Sequence, residues 1–483
     1  MRRTLLLLPV LLAGCTVGPD YRPRSAAELG VPERYSVPAA ATPEDLTRWW
    51  DRFDDPVLGR LVEQARVANL DVAQAVARLR QARESLVQSR SSLLPTVTGS
   101  AGYNRSTNLV GGSRNIQLSD GTVTTVSSGG GDSFSLGLDA QYQLGLFGEL
   151  RRTVEATRAQ YAASGYDSAS VLISVESEVA RNYVLARLYQ AQIANARASL
   201  ALQDDNLEIA GFRVQAGLVS SLDVEQARGQ RAQTAATIPS LEQQYNAAVS
   251  RLGVLTAQTP GAFKAELAAV RPIPSGPVAV GAGIPADVLR RRPDVRGAER
   301  ALAAATAQIG VAKAQLYPAL AISGNIQTNA TSLGGIGDAI TGGLFAGLTQ
   351  AIFNGGRLRS QVRSSEAAAD AAFAAYRGTV LTALEDVENA VVALASAQER
   401  ERQFAIALDA ANNAAILNRS QYRSGLTDFT TLQQQEAALL SARNGAAQAR
   451  SDAATATVAL YTALGGGWDV AVMPEAPTQT GTR

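Results

Sequence analysis

The sequence predicts an α+β membrane fold in which short amphipathic strands lead into long coiled-coil helices, and three observations predict it. The chain carries an internal two-fold sequence repeat. Within each half the apolar period changes from 3.6 to 2 and back, and the longest helical stretches place apolar residues seven apart.

Met1-Arg2-Arg3, the apolar run Thr4 to Leu12 and then Ala13-Gly14-Cys15 form a charged n-region, a short h-region and a small-residue cleavage site, which predicts a signal peptide over 1–14. The run is too short to span a bilayer. Leu12-Ala13-Gly14-Cys15 resembles the bacterial lipobox, in which the chain is cut before the cysteine and the cysteine is acylated. Cys15 is the only cysteine, which suits an acylated thiol, and Thr16 resembles the residues that permit sorting to the outer membrane. A covalent lipid on Cys15 and a lipid-anchored segment over 15–56 are therefore expected.

The two halves run over 57–257 and 285–467. In the first, Asn69 to Val72 opens a helix whose apolar residues Val72, Ala75, Leu79, Ala82 and Leu86 fall three or four apart, ending before Pro95. In the second, Arg292 to Val295 opens its counterpart through Val295, Ala298, Leu302, Ala305 and Ile309, ending before Pro318. After each proline the period becomes 2. Phe134, Leu136, Leu138, Ala140, Tyr142 and Leu144 alternate with Ser135, Gly137, Asp139, Gln141 and Gln143, while Leu320, Ile322 and Ile326 alternate with Ser323, Asn325 and Gln327. Strands are expected at about 96–106, 133–145, 319–329 and 342–353. Roughly ten residues is the length a tilted strand needs to cross a bilayer. Gly342 to Leu348 is glycine-rich and reads as a closely packed strand rather than a phosphate cradle. The stretch 106–132, rich in Gly, Ser, Thr and Asn, suits a mobile extracellular loop.

Helices then resume. Leu172, Val179, Ala186, Ile193, Leu200, Leu207 and Val214 fall seven apart, as do Val380, Val387, Leu394, Glu401, Leu408, Ala415 and Tyr422. This spacing is a coiled-coil signal. A helix from about Arg151 to Val214 would be roughly 95 Å long at 1.5 Å per residue, more than a lone globular domain can bury. Tips are expected at about 215–222 and 423–429, with Gly217 and Gly425 suited to helix C-caps and Ser221 or Asp428 to capping the returning helices, which run from about Leu222 to Leu255 and from about Phe429 to Leu464. The Pro/Gly-rich stretch 258–284 is a connector, and 468–483 is a tail.

Composition narrows the function. The 483 residues are 46% apolar, with Lys+Arg 44 against Asp+Glu 43, so nothing points to nucleic acid as a partner. Histidine is absent, which removes the commonest general base and metal ligand. No Gly-rich loop is followed by Lys-Ser or Lys-Thr. The chain therefore reads as a non-enzyme without a cofactor or metal, apart from the lipid on Cys15. The basic run Arg290 to Arg296 reads as structural rather than as an anion site.

Four strands cannot close a barrel, because the smallest known barrels have eight and an open edge in lipid leaves backbone groups unsatisfied. A barrel shared between chains and continued by a ring of helices is a conduit. The alternative is a lipid-anchored periplasmic coiled-coil adaptor without a pore, which would need soluble hairpins in place of amphipathic strands.

The motifs Cys15 to Pro23, Trp49 to Ala65, Leu144 to Arg152, Ala216 to Ala227, Arg291 to Glu299, Ile352 to Arg359 and Leu464 to Trp468 occur together and in order. Through them the chain resembles the TolC-type outer-membrane efflux proteins, in the NodT-type lipoprotein branch that serves resistance-nodulation-division pumps. The resemblance implies a homotrimer whose twelve strands form one β-barrel and whose helices form a periplasmic α-helical barrel. It also implies a periplasmic adaptor, an inner-membrane resistance-nodulation-division pump and outer-membrane lipid as partners, and a gate at the inner tips. Onto this chain it carries Gly217, Leu218, Ser221, Gly425, Leu426 and Asp428 as adaptor-contact tips, and Asp223 and Tyr422 as acidic and tyrosine gate members. Thr427 stands where the gate arginine is usual, and Thr431 and Gln434 stand where constriction carboxylates occur. Closure is therefore expected to rest on apolar packing around Leu222 and Leu432 rather than on a salt bridge.

Overall fold

The fold is that of a computed structural model, which describes residues 16–38, 45–107, 109, 113–117, 119–127, 131–277 and 279–469. The signal peptide, Cys15 and nearly all of the expected tail lie outside the described residues.

The elements run α1 (Pro56–Ala68), α2 (Leu70–Ser91), β1 (Thr96–Arg105), β2 (Ser113–Gln117), β3 (Val123–Ser127), β4 (Asp132–Leu144), α3 (Glu149–Gln215) and α4 (Ser221–Leu255). The short helices α5 (Lys264–Leu267) and α6 (Pro285–Arg291) lead to α7 (Pro293–Ala314), β5 (Ala319–Ala330), β6 (Ile340–Thr349), α8 (Arg357–Arg423) and α9 (Phe429–Ala463). Helices α3 and α8 are each 67 residues long, and α4 and α9 each 35. The last strand stops at Thr349, short of the expected boundary, and leaves Ile352 and Phe353 exposed in the link to α8.

The chain divides into two compact units. The first joins Met1–Arg22, Ala82–Tyr161 and Ala301–Ala372. Its sheet has the order β1-β4-β5-β6, all antiparallel, so the strands of both halves form one sheet rather than two separate hairpins. The register aligns faces across it. The row Gly99↔Leu138↔Ile326↔Gly342 and the row Val97↔Ala140↔Gly324↔Leu344 are apolar throughout, whereas Thr98↔Asp139↔Asn325↔Gly343 carries the polar side. Residues directly opposite in an antiparallel pair share a face, so one side of the sheet is mostly apolar, interrupted by Thr328 and by the Arg105↔Asp132 pair at one end.

The stretch expected to be a mobile loop contains a second sheet, β2 paired with β3. Its turn holds Asp120, whose Oδ1 accepts from the Thr122 backbone at 3.0 Å, and Gly121 at φ +83°. An Asp-Gly pair is a strong hairpin signal, here masked by the polar composition around it.

In the same unit the N-terminal segment is bolted to α3 and α7. Arg152 donates to the carbonyls of Val17 and Gly18 at 3.3 Å and pairs with Asp20 at 2.6 Å. Gly18, at φ +98°, lies so close to Gly310 that a Cβ on it would sit 2.5 Å from the Gly310 Cα. The motif Thr16 to Asp20 is thus a packing motif.

The second unit joins Pro23–Gln81, Ala162–Arg300 and Phe373–Arg483. Val179, Ala186 and Ile193 of α3 and Val380, Val387, Leu394, Ala415 and Tyr422 of α8 are buried. Glu401, the one charged member of the seven-residue series, pairs instead with Arg450 at 3.2 Å. Between hairpins, Asn195 on α3 donates to Asn444 on α9 at 3.1 Å, and Gln433 on α9 to the Gln226 carbonyl on α4 at 3.2 Å. Within the basic run, Arg292 is spent on Asp294, Asp386 and the Ala463 carbonyl.

A belt formed by the N-terminal segment and the end of the chain encloses α3. Trp49 stacks on Tyr461 with centroids 5.6 Å apart, and Arg66 lies 5.1 Å above the Trp50 ring. Arg66 pairs with the fully buried Glu176 and donates to the Gly467 carbonyl at 2.7 Å. The glycines of Leu464 to Trp468 allow this threading: Gly467 has φ +101°, and a Cβ on it would overlap the Glu176 carboxylate.

Candidate functional site at the helix tips

The tips lie in the second unit, where α3 turns into α4 and α8 into α9. Both turns use the same backbone device. Gly217, at φ +70°, donates to the Val214 carbonyl and Leu218 to that of Arg213; Gly425, at φ +74°, donates to the Tyr422 carbonyl and Leu426 to that of Gln421. This double bond to the last carbonyls, with a left-handed residue between, favours glycine because other side chains strain there. Ser220, not Ser221, caps α4: its side chain accepts from Leu222 at 3.2 Å, and Ser221 is the first helical residue. Asp428 caps α9, accepting from the Thr431 backbone at 2.7 Å, and that bond holds its carboxyl below the usual range.

Beneath the turns lies an apolar knot of Ala227, Tyr422, Phe429 and Leu432, with Leu207 and Ile209 packed against it. Tyr422 meets Phe429 edge-on at 6.0 Å. Leu432 is 1% exposed, so its apolar surface is used within its own chain, whereas Leu222 is 59% exposed and presents its side chain outward. The two expected constriction leucines are therefore not brought together. Gln434, Leu218 and Leu426 are exposed, while Thr427 and Thr431 are half-buried.

The expected gate members are also apart in chemistry. Asp223 sits in the first turn of α4, and among the described residues its carboxylate has no partner; the Tyr422 hydroxyl is buried and likewise unpaired. The arginine that reaches Tyr422 is Arg213, in the last turn of α3. Its guanidinium lies 4.4 Å from the ring centroid, and its Nη2 donates to the Tyr422 carbonyl at 3.0 Å. Below it, Arg419 on α8 and the buried Glu436 on α9 form a two-pronged ion pair, one prong at 2.8 Å. Sequence reasoning missed both pairs, having looked for an arginine only at position 427.

This geometry offers apolar knobs, cations and glycine turns, and no cluster that could hold a metal among the described residues. The sequence pattern of the family described as "Outer membrane efflux protein" matches residues 61–258 and 284–466. The chain is 32% identical to Nodulation protein T of Rhizobium leguminosarum bv. trifolii, covering 97% of this chain and 98% of that one. It is likewise 32% identical to the pyoverdine export outer membrane protein OpmQ of Pseudomonas aeruginosa, covering 90% of each. Among solved structures, the outer-membrane channel OprN superposes with a TM-score of 0.83 at 34% identity, covering 94% of this chain and all of that one. Long paired helices, a four-stranded sheet and a match over both halves together place the chain in the outer membrane efflux protein family.

Proposed function

We propose that this chain is one subunit of a homotrimeric exit duct in the outer membrane, passively conducting cargo delivered by an inner-membrane pump through a periplasmic adaptor. The observation that carries the reading is the four-stranded sheet with one predominantly apolar face and strands β1 and β6 at its edges. In lipid those edges must be paired, and neighbouring copies can pair them. Three copies would give twelve strands, with the apolar face to lipid and the polar face to water. Similarity to channels such as OpmQ and OprN supports this assembly.

In this reading the α3–α4 and α8–α9 hairpins form the periplasmic tunnel. Gly217, Leu218, Ser221, Gly425, Leu426 and Asp428 meet the adaptor. Asp223, Tyr422 and Thr427, with Leu222, Thr431, Leu432 and Gln434, line or support the closed end. Leu432 acts from behind, by packing under Tyr422. The two halves are copies of one structural repeat, and the lipid on Cys15 serves sorting and assembly, since the sheet itself holds the bilayer.

The test is reconstitution of detergent-purified protein in a planar bilayer, with native mass spectrometry of the complex. Discrete ion currents from a three-chain species are expected. A detergent-independent protein that raises no conductance would refute the duct.

A further inference from the structure

The polar face of the sheet has one large apolar exception. The row Thr96↔Gln141↔Ser323 runs across β1, β4 and β5 and ends on β6 at Phe345. Along β6 itself, the residues sharing Phe345's face are Thr341, Gly343, Gly347 and Thr349. Phe345 thus stands on the face opposite Leu344, Leu348 and Ile326, and the residue is 66% exposed. Space for it comes from the neighbouring glycine: a Cβ on Gly347 would lie 2.6 Å from the Phe345 Cε1. The ring lies along the strand over bare backbone, flanked by hydroxyls and amides. A lone aromatic ring kept in a wet row gains little from burial in its own chain, but offers a flat apolar platform to whatever passes.

We infer that Phe345 forms an apolar contact point on the water-filled side of the barrel, taking planar aromatic cargo, cationic aromatics foremost. This rests on the duct reading, in which the apolar face of the sheet meets lipid. One ring per subunit would place equivalent platforms at one level of the pore. Stacking and cation–π attraction favour flat cationic aromatics over small inorganic ions.

The experiment uses the full-length oligomer in planar bilayers. An absence of current from the unmodified protein would defeat the duct reading itself. In a conducting channel, Ser323→Cys and Phe345→Cys are expected to react with a water-soluble, membrane-impermeant methanethiosulfonate, and Leu344→Cys to resist it. Cys15 is the only other cysteine, so reaction can be assigned to the introduced site. Ethidium is then added to one side and its half-blocking concentration measured. Phe345→Ala should raise that concentration roughly three- to tenfold, Phe345→Trp should preserve or lower it, and Leu344→Ala should leave it alone. Four results would each overturn the proposal: an unreactive Ser323→Cys in a conducting channel, a Phe345→Cys that stays unreactive while Ser323→Cys reacts, an unchanged block in Phe345→Ala, or loss of the oligomer in Phe345→Ala. The second and fourth would place the ring in packing between chains.

Discussion

Arg213 and Tyr422 are joined twice: the guanidinium lies 4.4 Å from the tyrosine ring centroid, and one of its nitrogens donates to the tyrosine carbonyl at 3.0 Å. The residues are 209 apart in sequence and end the two long helices, so the contact ties one hairpin tip to the other within a single chain. A cation–π contact of this half-buried kind is worth about 1 kcal/mol. Arg213→Ala should therefore loosen the tips, raising basal current through reconstituted channels and speeding trypsin cleavage at Arg423 in the facing tip. Arg213→Lys keeps the charge but not the planar fork, and should fall between. Wild-type current and cleavage in Arg213→Ala would remove Arg213 from any closing role.

Tyr422 separates ring from hydroxyl. Its ring is packed against Phe429 and Leu432, while its hydroxyl is buried without a partner among the described residues. Tyr422→Ala should cost about 3–5 kcal/mol of stability by opening a cavity, whereas Tyr422→Phe should cost little. Among the described residues neither Asp223 nor the Tyr422 hydroxyl has a side-chain partner, so a polar gate would draw its partners from a neighbouring subunit. Combining Tyr422→Phe with Asp223→Ala should then raise basal conductance while leaving the melting temperature of the assembly near wild type. A lowered melting temperature with unchanged conductance would make both residues structural.

The parts legible in the sequence are those governed by local period. Alternation in Phe134 to Leu144 predicted which side chains share a face, and the register carries that face across all four strands. The seven-residue series marked buried or half-buried positions of α3 and α8, Glu401 being half-buried and paired with Arg450 on α9. Pairings between distant segments were not legible. Arg213 with Tyr422, Arg419 with Glu436 and Glu176 with Arg66 each join residues from different elements, and no local pattern marks a charged residue as belonging to its partner. The cap at Ser220 was displaced by one position because Ser220 and Ser221 are chemically equal, and only backbone geometry chooses between them.

Glu176 makes the second unit sensitive to pH. Burial pushes its carboxyl up to about 8 against the opposing pull of Arg66, well above an ordinary carboxyl. A raised folded-state value means that between the unfolded value of 4.5 and about 8 the folded chain holds a proton that the unfolded chain has lost. Stability from this group is therefore complete below the lower value and declines as pH rises through the window. The melting temperature should fall by a few degrees between pH 6 and pH 8.5 in wild type, and by less in Glu176→Gln. An equal slope in both would show that other groups set the pH dependence.

The N-terminal bolt gives an asymmetric prediction. The Asp20 side chain is 80% exposed while that of Arg152 is 5% exposed, so the two partners differ in what they leave behind. Asp20→Ala strips one carboxylate from a buried guanidinium that still pairs with Glu155 at 2.8 Å and donates to the Val17 and Gly18 carbonyls. That loss should be modest, in the range of about 1 kcal/mol expected of a single half-exposed ion pair. Gly18→Ala is different in kind: it places a Cβ 2.5 Å from the Gly310 Cα, backbone that cannot give way, at a φ of +98° that an L side chain resists. The segment should lift from α7, and trypsin should cut at Arg24 much faster than in wild type or Asp20→Ala. Gly30→Ala shares a left-handed φ but would meet nothing within 4 Å. It therefore isolates backbone strain from the clash. Equal cleavage in Gly18→Ala and Gly30→Ala would show that strain, not the contact with Gly310, holds this segment in place.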